Sequence, residues 1–382
     1  MLHSLFNKFF HSEKSAGILL IVCTCFSLAL SNTLFGESYI NLWNIQFAGM
    51  SLMQWINDAL MTIFFLMVGL ELEREIFIGE LSSFKKAIVP VTAALGGMLV
   101  PALFYMLFNQ GSVYEKGFGI PMATDIAFSL TILSLFSNRV PFGLRIFLTA
   151  LAIADDLGAI LVIAIFYSNN ISWMYLAMAF GLFAILFVMG KLKVYVLWPY
   201  LIGGVLMWYC THHSGIHATI SGVMLAFAIP FGKEENGPSY KLQSFLHLPV
   251  AFLILPLFAL ANTCISITGI GLDDLQVAGV YGTVAGLVLG KPVGIFLFTF
   301  LSKKILGLNL PTGVTFQHVL GAGIVAGIGF TMSIFITDLA FINPLYIKQI
   351  KLAILLSAFV SALLGILYFI LFIPKIKADT EK

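Results

Sequence analysis

Asp155 and Asp156 stand side by side in the middle of Phe147–Phe166 (FLTALAIADDLGAILVIAIF), and they are the only charges in that run. About 20 apolar residues, rising about 1.5 Å each, match the hydrocarbon core of a bilayer. A carboxylate at the centre of such a helix costs roughly 2.5–3.5 kcal/mol on insertion scales. Packing gives no reason to carry two. One reading is a buried ion pair that fixes helix register; the other is a site for a cation or a proton.

Two further ionisable groups fall at mid-depth in apolar runs. Asp125 follows Thr124 in Gly117–Leu135 (GFGIPMATDIAFSLTILSL), and Lys291 sits in Gly290-Lys291-Pro292. A buried ammonium needs a carboxylate partner. Adjacent residues on a helix point about 100° apart. One of the two aspartates can therefore meet Lys291 while the other faces a water-filled funnel. A hard monovalent cation takes oxygen ligands, which a carboxylate, the Thr124 hydroxyl and carbonyls freed at a helix break would supply. Such a site holds protons or a cation but not both. That competition, coupled to alternating access, is exchange transport.

The elements that must position these groups are membrane spans. The chain is 60% hydrophobic and 10% charged, with 36 Phe in 382 residues, against about 25% charged in soluble domains. It reads as an all-α integral membrane protein, one transporter domain over residues 1–382. The net charge of +2 gives no reason to expect nucleic acid. No cleavable signal peptide is expected: Met1–Ser15 is polar and basic, and Ala16–Leu30 lacks a small-residue cleavage site. Cys23, Cys25, Cys210 and Cys264 lie in apolar runs without CxxC spacing and read as buried small residues.

Hydropathy predicts about twelve spans: 16–34, 52–72, 86–108, 118–136, 143–167, 172–190, 196–211, 215–230, 246–266, 277–301, 318–339 and 349–373. With the N-terminus in the cytoplasm, Lys8, Arg74, Arg139, Lys233, Lys303, Lys377 and most other basic residues, Lys382 included, fall inside. Only Lys116, Lys348 and Lys351 fall outside. The excess of positive charge inside places both termini in the cytoplasm. Residues 36–50 (GESYINLWNIQFAGM) are not helical in pattern and predict a small external β-hairpin around Asn44. Asp58 sits early in the second span, and Glu71, Glu73, Arg74 and Glu75 at its cytoplasmic end fit a solvated helix end as readily as a functional cluster.

The fourth span, with Gly119 and Pro121, and the eleventh, Gly321–Ile336 (GAGIVAGIGFTMSIFI), break cheaply. Interrupted segments at corresponding places in two halves point to a transporter's binding site. The halves align weakly. Ala127–Leu130 lies over Gly329–Met332, Leu148-Thr149-Ala150 over Leu356-Ser357-Ala358, and Thr92, Ala94 and Pro101 over Thr283, Ala285 and Pro292. Spans 3–5 (about 86–167) thus pair with spans 10–12 (about 277–373) as inverted repeats, and the remaining spans form a panel and dimer region. If the broken helices cross, an acid near the paired N-termini and a Lys near the paired C-termini offset the helix dipoles.

AIADDLGAI, MATDIAFSL, FFLMVGLELERE, GIHATISG, ILPLFALAN and LGKPVGI, spread in order from about residue 11 to 375, resemble the NhaA family of bacterial sodium/proton antiporters. The resemblance implies electrogenic exchange of cytoplasmic Na+ or Li+ for external H+ in the bacterial inner membrane, with no cofactor and no enzymatic activity. It implies Asp155 and Asp156 as transport carboxylates, Asp156 as cation ligand and Asp155 as partner of Lys291. Thr124 and Asp125 would lie at the crossing of the broken helices, Asp58 in a supporting place, and Glu71, Arg74, Glu75 and His217 in pH regulation. The residue 36–50 hairpin would mediate a homodimer. His213 and His217, one helical turn apart, lack an evident third ligand, so a packing or pH-modulating role is preferred to a metal. One departure stands out: where the family pattern has an acid followed by His, this chain has Gln243-Ser244. A steep separate pH switch is therefore not expected.

Other classes fit less well. A sodium-coupled symporter of organic acids would need a cation besides Lys291 at mid-depth. An aspartyl intramembrane protease needs GxGD, but Asp125 follows Ala123-Thr124; a rhomboid needs GxSG, but Ser214-Gly215 follows His212-His213. Backward proton flux driven by a sodium gradient would separate an exchanger from a channel.

Overall fold

The apolar runs become helices because a backbone surrounded by hydrocarbon must satisfy its own hydrogen bonds. The computed structural model describes residues 13–79, 81–168, 171–232, 237–267, 271–308 and 310–375. Lys8, Lys233, Lys377, Lys382 and the first twelve residues of the basic N-terminal stretch lie outside the described residues. The helices of eight or more residues are α1 (Glu13–Ser31), α2 (Gly36–Trp43), α3 (Leu52–Phe77), α4 (Phe84–Asn109), the 3-10 helix α5 (Glu115–Met122), α6 (Ile126–Leu135), α7 (Phe142–Phe166) and α8 (Trp173–Lys191). There follow α9 (Trp198–Ser214), α10 (Ile220–Ala228), α11 (Pro238–Asn262), α12 (Ala278–Ile305), α13 (Phe316–Ala326), α14 (Phe330–Ala340) and α15 (Pro344–Phe372).

Among the described residues, 8 helices are long and apolar enough to cross a bilayer, or up to 10 if each bent pair is one span. The bent pairs are α5 with α6, at 40°, and α13 with α14, at 47°. The expected spans 196–211 and 215–230 correspond to the shorter α9 and α10.

The stretch 36–50 differs from its expected form. Its first half is α2, an 8-residue helix, held by the Tyr39 hydroxyl, which donates to Ser27 Oγ at 3.0 Å and to the Leu260 carbonyl at 3.2 Å. Asn44 caps that helix instead of turning a hairpin. The hairpin is two residues per strand, β1 (Gln46–Phe47) antiparallel to β2 (Met50–Ser51). Ala48 and Gly49 make its turn with φ of 50° and 84°, the two left-handed residues that a tight hairpin needs. Cys210 is buried, but Cys25 is exposed on α1, so it is not a buried small residue.

Cα packing divides the chain into two compact units. The first takes in the described parts of Met1–Ile18, Ser83–Ala159 and Gly269–Lys382; the second covers Leu19–Ser82 and Ile160–Thr268. In the second, α3 packs on α10, and α8 on α9. In the first, α4 packs along α12. Gly286, Gly290 and Gly294 recur every fourth residue on α12, the small-residue spacing that lets membrane helices approach closely. A Cβ at Gly294 would lie 2.1 Å from the Gly96 carbonyl oxygen, and one at Gly290 would lie 2.8 Å from Pro101 Cα. No larger residue fits between these backbones.

That close seam fixes Lys291. The five residues before it, Gly286–Gly290, form a π-helical turn. Pro292 lacks an amide donor and crowds the preceding turn, and a widened turn relieves both problems. Pro256 follows the π turn Val250–Ile254 in α11 in the same way.

Candidate functional site

The site begins where two helices stop. Between α5 and α6 the chain runs extended through Ala123 and Asp125; between α13 and α14 it opens at Gly327, Ile328 and Gly329. The openings are joined by a hydrogen bond from the Asp125 amide to the Ile328 carbonyl, 2.8 Å. Hydroxyls then reach across in both directions. Ser129 of α6 donates to the Val325 carbonyl at 3.1 Å, and Ser333 of α14 donates to the Ile120 carbonyl at 2.7 Å.

The carboxylate of Asp125 lies between the starts of α6 and α14. Its Oδ1 accepts from the Phe128 amide at 2.9 Å, which caps α6. Its Oδ2 accepts from the Thr331 amide at 3.1 Å and the Thr331 hydroxyl at 2.6 Å. An anion is favoured there, because both helix N-termini present free amides and a positive dipole end.

Lys291 occupies the opposite electrostatic place. Its ammonium donates to the carbonyl of Met122, the last residue of α5, and to Asp155 Oδ2 at 2.7 Å. The same Oδ2 accepts from the Thr124 hydroxyl at 2.8 Å. Both side chains of the Lys291–Asp155 pair are fully buried. Asp156, the next residue on α7, is also buried at 1% exposure. Among the described residues no donor reaches Asp155 Oδ1. One oxygen of this carboxylate thus holds the Lys and Thr while the other is not committed to a hydrogen bond.

The carbonyls at the breaks are less free than an open helix end implies. The Val325 carbonyl accepts from both the Ser129 hydroxyl and the Ile328 amide. Those of Ile120, Met122 and Ile328 each accept a hydrogen bond, which leaves at most one lone pair on each of these three. Oxygen ligands for a cation come first from the Asp155 and Asp156 carboxylates and the Thr124 hydroxyl.

The remaining candidates lie in the second unit. Asp58 sits in a π-helical turn of α3, 3.7 Å from His212 Nδ1. Arg74 and Glu75 come within 3.7 Å of each other in the last turn of α3, and Glu71 is half-buried one turn earlier. His217 lies half-buried between α9 and α10. His213 packs its ring on Tyr175 and Tyr209, and no group of three metal-ligating side chains occurs among the described residues.

One residue of the α3 cluster was not singled out by its sequence. Glu73 is buried and accepts from the Ser239 hydroxyl at 3.1 Å, so it is not part of a solvated helix end. Gln243, one turn further along α11, is buried on the same side as Ser239. Leu72 beside Glu73 carries the apolar period that turns this position inward, but three neighbouring charges mask it.

Facing helix breaks, buried carboxylates and a buried Lys within a mostly apolar helical chain define a membrane transport protein of the broken-helix class. A family model described as Na+/H+ antiporter 1 matches residues 7–369. The "Na(+)/H(+) antiporter NhaA" of Cytophaga hutchinsonii is 52% identical over 365 residues, covering 95% of this chain and 94% of that protein. "Na(+)/H(+) antiporter NhaA 1" of Flavobacterium johnsoniae is 53% identical over 364 residues, 95% of this chain and 96% of that one. The Helicobacter pylori protein of the same name is 43% identical, covering 98% and 97%. The chain belongs to the NhaA family of Na+/H+ antiporters, which are transporters and not enzymes.

Proposed function

We propose that the chain exchanges cytoplasmic Na+ or Li+ for external H+ across a bacterial inner membrane, with protons and cation competing for Asp155 and Asp156. The observation that carries this reading is the cluster at the facing breaks, where Asp155 Oδ2 holds Lys291 and Thr124. Asp156 serves as the principal cation ligand. Asp155 responds through its pairing with Lys291: a proton on the carboxyl weakens the pair, and its loss restores the charge that a cation needs. Asp125 keeps the two helix starts neutralised and the breaks in register. Two carboxylates can release two protons for one monovalent cation, which makes the exchange electrogenic.

The first compact unit is the moving core, built from inverted repeats. Helix restarts at Ile126 and Phe330 and the reciprocal Ser129 and Ser333 hydrogen bonds support that symmetry. Counting α9 and α10 as spans gives twelve, with both termini in the cytoplasm. Asp58 supports the site indirectly, and Glu71, Arg74, Glu75 and His217 tune the response to pH.

Everted vesicles from a host lacking its own antiporters test this directly. Added Na+ or Li+ should collapse an imposed pH gradient, and a membrane-potential dye should report charge movement. Apparent sodium affinity should weaken steadily as pH falls. A maximal rate that collapses over a narrow pH interval at saturating sodium would instead demand a separate switch, and no cation-dependent proton movement at any pH would reject the exchange.

The same reading makes the protein a homodimer joined through β1 and β2, where Phe47 is 67% exposed at the strand edge. A two-stranded ribbon is marginal alone, and pairing with a second copy gives four strands. Deleting residues 46–51 should reduce crosslinked dimer severalfold while exchange continues. Dimer yield equal to the parent would place the contact elsewhere.

A further inference from the structure

Lys351, which is buried, and Asp338, which is half-buried, form a second ion pair that the transport site does not use. Lys351 Nζ lies 2.8 Å from Asp338 Oδ1 and 3.1 Å from Oδ2, with side chains 7% and 17% exposed. Asp338 stands in the last turn of α14, and Lys351 two turns into α15. As helix chemistry the choice is poor. An acid near a helix C-terminus opposes the dipole, and a buried ion pair is a weak source of stability compared with apolar packing. What such a pair does well is fix one arrangement out of several, since a displaced charge loses its counter-charge.

The place where it fixes α14 matters. Thr331 and Asp338 are seven residues apart, so they share one face of the helix about 10 Å apart along its axis. Thr331 supplies the amide and hydroxyl that hold Asp125 Oδ2. Ser333, half a turn on, holds the Ile120 carbonyl at the other break. The short helix α14 is therefore tied at its first turn to the site and at its last turn to α15. A slide or rotation of α14 would break both ties together.

We infer that Asp338 and Lys351 are positioning residues: they hold α14 in the register that keeps Thr331 on Asp125, and through the break they set the geometry of the Asp155–Thr124 cation site. The inference rests on the exchange reading above.

The test uses the full chain, purified and placed in proteoliposomes. Sodium-dependent proton movement is measured at fixed pH for the parent, Asp338→Asn, Lys351→Met, the neutral double variant Asp338→Asn/Lys351→Met and the swap Asp338→Lys/Lys351→Asp, each alongside its melting temperature. The two single variants should raise the apparent KM for sodium at least fivefold. The neutral double variant, which leaves no lone buried charge, should fold and still show the raised KM. The swap should return KM to within twofold of the parent. Lower melting temperatures with a parental KM would make the pair a stability brace and overturn the inference. So would a folded neutral double variant with parental KM, or a folded swap variant whose KM stays high. If the parent itself moves no protons on adding sodium, the exchange reading has failed instead, and that result is distinct from all of these.

Discussion

Asp156→Asn should abolish sodium/proton exchange, to below one hundredth of the parent rate, while the purified protein melts at the parent temperature. An amide neither releases a proton nor matches the charge of a cation, so both halves of the exchange are lost in one substitution. Stability should hold because Lys291 keeps its salt bridge to Asp155 and Asn preserves the shape of the buried side chain. Removing a net buried charge also relieves part of the roughly 2.5–3.5 kcal/mol that a mid-helix carboxylate costs in a bilayer. Loss of transport with unchanged melting separates a transport ligand from a packing residue. Near-parental exchange by the Asn variant would remove Asp156 from the site.

The carboxylates and Lys291 were legible in the sequence because each is an anomaly: a charge in an apolar helix announces itself without any structure. The breaks were legible for a related reason, since Gly119, Pro121 and the glycines of 321–329 cheapen a helix interruption. The pairing of Ala127–Leu130 with Gly329–Met332 rests on similar small residues, and the helices restart at Ile126 and Phe330. Residues 36–43 hid a helix because eight residues show barely two turns of any pattern. Glu73 and the Asp338–Lys351 pair hid in plain composition. Charges near span ends read as solvated, yet Glu73 and Lys351 are buried. Only tertiary packing decides which end-of-helix charge faces water.

Lys291 carries the second large effect, in stability as much as in transport. Its ammonium and the Asp155 carboxylate are both fully buried at 2.7 Å, and the Met122 carbonyl takes a further hydrogen bond from it. Lys291→Ala leaves Asp155 an uncompensated buried charge, and breaking such a pair costs about 3–5 kcal/mol. It also strips the donor from the last carbonyl of α5 at the break, where a lost partner adds about 1–3 kcal/mol. Lys291→Arg keeps a cation on Asp155 and donors for Met122, and its penalty is the strain of fitting a planar guanidinium between α12 and the break. The Ala variant should therefore melt well below both the parent and the Arg variant, and the Arg variant should retain measurable exchange. Replacing Asp155 as well, in Asp155→Asn/Lys291→Ala, removes both charges and should recover part of the melting temperature lost in Lys291→Ala, without recovering transport. Equal melting temperatures for Lys291→Ala and Lys291→Arg, or no recovery in the double variant, would mean that the pair does not brace the break, and that Lys291 acts on the cation site by charge alone.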